Sequence, residues 1–157
     1  MMHGNDWMGQ DVAGWWASEK FDGWRARWTG TKLLSRMGRD YNAGDYFTNH
    51  LPKLELDCEI WAGYGKNHND VNRLISAGRW SELSLINFDV VGVRIEMAIE
   101  ILKLIHGSAF FWKVESTSHA KARMKEIIDR GGEGIMLRWP ESDYVHHRTN
   151  DLLKMKP

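Results

Sequence analysis

Apolar and polar positions along the chain follow two periods, and the places where one gives way to the other divide it into short elements. Residues 16–20 read as a short strand running into a turn at Asp22-Gly23. Residues 24–35 alternate and are broken by Thr29-Gly30-Thr31, which predicts a β-hairpin. Residues 38–50 are polar, with glycines at 38 and 44, and predict a loop. Leu54, Leu56, Cys58 and Ile60 alternate with Glu55, Asp57 and Glu59, the pattern of a strand with one wet face. Residues 70–77 predict a short helix stopped by Gly78, and residues 83–91 a buried strand. Residues 95–105 are apolar at helical spacing and stop at Gly107, and residues 109–115 predict another strand. Ser118 is placed to cap a helix through Asp129 that Gly131-Gly132 ends. Residues 135–138 and 152–156 supply the last strands. The sum is an α+β fold of mostly antiparallel sheets flanked by helices.

Composition narrows this picture. Apolar residues make up 43% of the 157 and charged residues 27%, the mix of one globular domain. No run of 18 apolar residues exists to span a membrane. Residues 1–10 show neither the basic nor the apolar region of a signal peptide, so a cytoplasmic protein is expected; the expected state is a monomer. The single cysteine, Cys58, excludes an intramolecular disulfide and a Cys-rich metal site. No internal repeat, low-complexity run or linker divides the chain. The formal net charge is zero, which argues against gripping nucleic acid by overall charge and leaves local basic patches for that task. The nine tryptophans are read as packing residues, with base stacking open to one or two.

The segment Ser18-Glu19-Lys20-Phe21-Asp22-Gly23-Trp24-Arg25 is the richest in chemistry. A lysine at a strand end beside a glycine turn is held still and stays open to a ligand. Arg25, beyond the turn, carries a fork that matches phosphate. A lysine attacks only as the neutral amine, a form that desolvation or a neighbouring cation favours.

Lys20-x-Asp22-Gly23-x-Arg25 resembles the first motif of the covalent nucleotidyltransferases, which comprise DNA ligases, RNA ligases and mRNA capping enzymes. Further segments follow in that superfamily's order. Leu34-Ser35-Arg36-Met37-Gly38 resembles the motif whose arginine meets phosphate. Leu56-Asp57-Cys58-Glu59-Ile60-Trp61 resembles the third motif, usually Asp-Gly-Glu, and Ile86-Asn87-Phe88-Asp89 the strand whose aromatic stacks on adenine. Gly132-Glu133-Gly134-Ile135-Met136-Leu137-Arg138 is similar to the fourth motif, and Leu152-Leu153-Lys154-Met155-Lys156 to the fifth. The series resembles the adenylation (nucleotidyltransferase) domain of ATP-dependent DNA ligases. The opening Ser-Glu-Lys-x-Asp-Gly, preceded by Gly14-Trp15, looks most like the small ligases of bacteria and phages.

The resemblance implies a role for each matched residue. Lys20 attacks the α-phosphorus of ATP and holds AMP as a phosphoramidate. Ser18 and Glu19 join Lys20 in nucleotide binding, and Arg25 orients the ribose or a phosphate. Arg36 contacts phosphate. Glu59 faces the ribose and, with Glu133, holds Mg²⁺ or Mn²⁺, since hard carboxylate oxygens suit such an ion. Phe88 and Met136 sandwich the adenine. Lys154 and Lys156, two apart on a strand, share a face and act on the α-phosphate. Arg36, Arg39, Arg138 and Arg148 are the candidate contacts to nicked duplex DNA.

Plainer readings stand beside these. Glu59 on a wet face can be merely solvated, Phe88 can be core, and Lys154 and Lys156 can be a charged edge. His146-His147-Arg148 reads as a polar loop that could touch DNA phosphates. Lys121, Arg123 and Lys125 read as the solvated face of a helix. Cys58 stands where relatives carry glycine, as either a buried small hydrophobe or a reactive thiol. The sequence ends at Pro157, directly after the fifth motif, whereas relatives continue into an oligonucleotide-binding-fold domain. The expectation is a single nucleotidyltransferase domain over residues 1–157 without that second domain. RNA ligation, and nucleotide or DNA binding without turnover, remain the alternatives to DNA joining.

Overall fold

Aromatic and branched residues gathered in short runs between glycine turns favour strands over long helices. A computed structural model describes all 157 residues. In chain order the elements are β1 (His3–Asp6), β2 (Trp16–Lys20), β3 (Trp24–Trp28), β4 (Leu33–Ser35), α1 (Asp45–Thr48), β5 (Leu56–Trp61) and α2 (His68–Ser76). A tight helical turn (Trp80–Glu82) follows, then β6 (Ser84–Val90), α3 (Ile95–Leu102), β7 (Phe111–Lys113), α4 (Thr117–Asp129), β8 (Gly134–Arg138) and β9 (Arg148–Met155). They form two compact units. The first comprises Met1–Phe21, Gly92–Met97 and Phe110–Pro157, and the second Asp22–Val91 and Ala98–Ala109.

The first unit is built on a five-stranded sheet in the order β1-β9-β8-β2-β7. Its pairs are antiparallel except β1 with β9, which is parallel. Hydrophobic patterning assigns residues 3–6 no element, because His-Gly-Asn-Asp has no apolar alternation; β1 is drawn into the sheet by pairing alone. Gly4 permits this, since a Cβ there would lie 2.7 Å from the Leu152 carbonyl oxygen. Ala17, Ile135, Leu137, Leu153 and Met155 pack with Val12, Trp15 and Val114 and with Ala120 and Ile127 of α4 as one buried cluster. The α4 cap is Ser116, not the expected Ser118. The Ser116 hydroxyl accepts from the His119 amide at 3.1 Å, and its carbonyl takes the Ala120 amide at 3.0 Å, so the first turn forms two residues earlier.

The second unit is built on a wholly antiparallel four-stranded sheet in the order β4-β3-β5-β6. The expected hairpin is β3 and β4. Leu56, Cys58 and Ile60 are fully buried, as alternation requires, but the expected wet face is not uniformly wet. Asp57, on a strand flanked by β3 and β6, is also fully buried, and Leu54, which lies before the strand begins, is exposed. The helix expected from residue 70 starts at His68. A reciprocal capping box sets that start: the Asn67 side chain accepts from the Asp70 amide, and the Asp70 carboxylate from the Asn67 amide at 2.9 Å. The expected loop at 38–50 contains α1, whose Phe47 is buried with its ring 5.0 Å from that of Trp80. In α3, Ile95, Ala98, Ile99 and Leu102 are buried at helical spacing, and the helix ends three residues before the expected limit.

Candidate active site

In the first unit the ladder register writes one row of side chains across the whole sheet. Phe111 is opposite Ser18, Ser18 opposite Met136, Met136 opposite Lys154, and Lys154 opposite Asp6. Partners across a ladder share a face and neighbours along a strand alternate, so Lys20 projects on the face of Ser18, Met136 and Lys154. Directly opposite Lys20 is Gly134, where a Cβ would sit 2.4 Å from the Met155 carbonyl oxygen and 3.0 Å from Lys156 Cβ. Only glycine fits there, and β8 consequently carries no side chain opposite the lysine.

Lys20 Nζ lies 2.6 Å from Glu133 Oε1, with both side chains mostly buried. The other carboxylate oxygen, Glu133 Oε2, is buried and has no hydrogen-bond partner. Lys154 Nζ is 3.5 Å from Asp6 Oδ1. Lys156 lies one residue past the end of β9 and is exposed; its Cβ would stand 3.0 Å from a Cβ on Gly134, so it projects on the face of Lys20 and Lys154, as the spacing of two predicts. Glu19, grouped by sequence with the nucleotide ligands, alternates onto the opposite face. It stands 3.5 Å from Arg130 at the end of α4, and its Oε1 would meet a Cβ on Gly132 at 2.9 Å.

In the second unit β3 and β5 place Arg25 opposite Glu59 and Arg27 opposite Asp57, putting all four on one face. The guanidinium of Arg25 forks onto Asp57, Nε donating to Oδ1 at 2.7 Å and NH2 to Oδ2. The Asp57 side chain is 1% exposed, so the arginine neutralises a buried carboxylate and is oriented by it. The same guanidinium lies 5.1 Å over the Phe88 ring. Phe88 is the extra residue of a β-bulge: Asp57 pairs with Asp89 and Cys58 with Asn87, which leaves Phe88 unmatched. Bulges turn a side chain away from where strict alternation would send it. Phe88 is half-buried, and its ring meets a cation rather than the apolar core.

Further bonds lock this face. Glu59 Oε2 accepts from the Gly23 amide at 3.0 Å, and a Cβ on Gly23 would fall 1.9 Å from the Ile60 carbonyl oxygen, so the turn after Lys20 requires glycine. The Tyr41 hydroxyl donates to the Arg25 carbonyl at 2.9 Å. Burial, and secondarily the charge of Glu59, pushes that phenol up to about 12. Gly23, Trp24, Arg25, Arg36, Glu59 and His68 are among the walls of a cavity of about 350 Å³. Cys58 is wholly buried, and its thiol donates to Asn87 Oδ1 at 3.2 Å. Burial, then the neighbouring Asp57 charge, raises the thiol well above its usual range, which settles the choice between its two readings in favour of an inert buried group.

The four arginines expected on DNA have different placements. Arg36 and Arg39 are exposed in the second unit. Arg148 is exposed in the first, one guanidinium nitrogen donating to the Gly4 carbonyl at 2.6 Å. Arg138 is a correction: it is buried and donates to Ser142 Oγ at 2.6 Å and the Asp143 carbonyl at 3.1 Å, so it braces the turn after β8. Sequence reasoning left out Asp57, Tyr41 and His68. The signal for Asp57 was its place inside the quoted third motif; nothing local marked Tyr41 or His68.

The two sheets, one with a lysine beside a half-buried glutamate and the other with a fixed arginine and a glutamate, have the nucleotidyltransferase fold of DNA ligases. In sequence, the chain is 27% identical over 161 residues to a DNA ligase of Haemophilus influenzae, covering 94% of this chain and 59% of that ligase. Among solved structures, a Lig E DNA ligase whose study concerns DNA binding with a minimal scaffold superposes with a TM-score of 0.87 at 24% identity. That match covers 100% of this chain and 68% of the other. The Chlorella virus DNA ligase-adenylate gives a TM-score of 0.80 at 20% identity, covering 99% of this chain and 66% of the other. No family profile matches the chain.

Proposed function

We propose that this chain is the adenylation unit of an ATP-dependent DNA ligase acting on nicked duplex DNA. The observation that carries the reading is Lys20 Nζ, fixed at 2.6 Å from Glu133 Oε1 on a sheet face shared with Ser18, Met136 and Lys154. Lys20 Nζ attacks the α-phosphorus of ATP; the new bond is P–N, the broken one P–O, and pyrophosphate leaves. Glu133 Oε1 aims the amine and is its nearest proton acceptor. Met136 offers a soft apolar side chain to the adenine and Ser18 a hydroxyl to its edge. Lys154 faces the developing charge on the α-phosphate, and Arg25 holds the ribose or a phosphate. AMP then passes from Lys20 to a 5′-phosphate, and the 3′-hydroxyl of the nick displaces it. The similarity of this chain to DNA ligases, in sequence and in fold, favours DNA over RNA as the strand joined.

A divalent ion fits the donors. Glu133 Oε2 is a buried hard oxygen without a partner, and it is the atom this reading gives to the ion. No group of three acidic, histidine or cysteine side chains gathers in the chain, so phosphate and water would have to supply the rest of the ion's ligands. When bound, such an ion neutralises phosphate oxygens. Incubation with ATP and Mg²⁺ followed by denaturing mass measurement tests the proposal. One covalently retained adenylate is expected; an unmodified mass under saturating ATP would contradict it.

A further inference from the structure

The motifs do not use His68, yet the structure anchors it on the cavity of the second unit that Arg25 and Arg36 also line. We propose that His68 is a phosphate-binding residue of that cavity, an inference that rests on the reading of Arg25 and Arg36 as phosphate contacts. Two hydrogen bonds and the helix cap before it fix its position. The capping box at Asn67 sets α2 to begin at His68. The Trp24 indole N–H donates to the His68 carbonyl at 2.6 Å. The ring Nδ1 lies 3.3 Å from Asp22 Oδ1. Asp22 and Trp24 flank Gly23, so the turn that follows Lys20 holds both the backbone and the ring of His68.

The chemistry follows from that geometry. Asp22 stands at Nδ1, which leaves Nε2 for a ligand; an imidazole ring protonated on both nitrogens donates to a carboxylate and to a phosphate at once. The ring is 56% exposed and therefore reachable. The cavity also has need of a donor. Of its two arginines, Arg25 is already forked onto Asp57, and Glu59 contributes charge of the wrong sign. Arg36 alone makes no ion pair within the chain, so a phosphate dianion there would meet one uncommitted cation and a carboxylate. His68, backed by Asp22, supplies the second donor.

The phosphate can belong to the nucleotide or to the end of a DNA strand, and His68→Gln separates the two. In the first arm, the KM for ATP in self-adenylation is compared between wild type and variant. In the second, pre-adenylated protein is titrated with nicked duplexes bearing a 5′-phosphate or a 5′-hydroxyl. A rise of about tenfold in one constant, the worth of one charge-assisted hydrogen bond, is expected. A rise in the ATP arm assigns the contact to the polyphosphate, and a loss confined to the 5′-phosphorylated nick assigns it to the strand end. Unchanged constants, or equal weakening for the 5′-hydroxyl nick, overturn the proposal. Inorganic phosphate titrated into the wild-type chain, with the His68 ring followed by NMR, gives a readout that needs no turnover. If the chain never adenylates but the ring responds to phosphate, the ligase reading fails and the His68 site stands; a ring that does not respond removes the site.

Discussion

Lys20 Nζ and Glu133 Oε1 stand 2.6 Å apart, joining the end of β2 to the residue just before β8 across the glycine that no side chain can replace. One oxygen of Glu133 is engaged with the Lys20 amine while the other is buried and unpartnered. Under the proposed function the carboxylate would serve the amine through one atom and a metal ion through the other.

Glu133→Gln should slow self-adenylation by about 10²-fold or more, the range for losing an aligned acid–base or electrostatic group. Stability should change by no more than about 1 kcal/mol, because both side chains of the pair keep some solvent access. Single-turnover adenylation across a Mg²⁺ series, alongside thermal unfolding, checks this; parent-like rates at every Mg²⁺ concentration would remove Glu133 from the chemistry.

Asp57→Asn should act on Arg25 rather than on Lys20. It discards the charge that orients the guanidinium while keeping the side chain's shape, at a stability cost of about 1–3 kcal/mol for a buried charged hydrogen bond. The expected kinetic signature is a raised KM for ATP. An unchanged KM in a folded variant would show that Arg25 needs no such support.

Tyr41→Phe removes one hydrogen bond to the Arg25 carbonyl and should cost about 0.5–1.5 kcal/mol near neutral pH. The sign at alkaline pH follows from the raised phenol. Between the ordinary value of 10.0 and about 12 the folded chain keeps a proton that the unfolded chain releases. The contribution of Tyr41 to stability is thus complete below pH 10 and lost as pH rises through about 12. Denaturant unfolding at stepped pH should show wild type losing stability there more steeply than the phenylalanine variant; parallel curves would contradict the assignment.

Arg36→Ala and Arg138→Ala should part company. Arg36 is exposed and unpaired, so its removal should weaken nick binding and lower the salt slope by about 0.9 for each phosphate the side chain neutralises. Arg138 is buried, so its removal should lower the melting temperature and leave the salt slope unchanged. A reduced salt slope in folded Arg138→Ala would restore it to the DNA surface.

The strands and helices that periodicity located are those whose buried faces are continuous, such as Leu56, Cys58 and Ile60 on β5 or Ile95, Ala98, Ile99 and Leu102 on α3. What escaped is set by pairing between distant segments. β1 has no pattern of its own, the bulge at Phe88 exists only against β5, and Arg25 reads differently once Asp57 is seen to be buried behind it. Local chemistry misplaced the α4 cap by two residues because Ser116, Thr117 and Ser118 offer hydroxyls in succession. The motif around Lys20 was legible because its spacing is local; Arg138, inside an equally clear motif, was misread because motif membership does not report which way a side chain turns.

The most direct measurement is the site of adenylate attachment, mapped by peptide mass spectrometry after reaction of the wild-type chain and Lys20→Ala with ATP and Mg²⁺. The expected result is AMP on Lys20 alone in the wild type, and none in a Lys20→Ala protein that melts like its parent. An adenylate on another residue, or its retention in the variant, would contradict the assignment of Lys20 as the nucleophile.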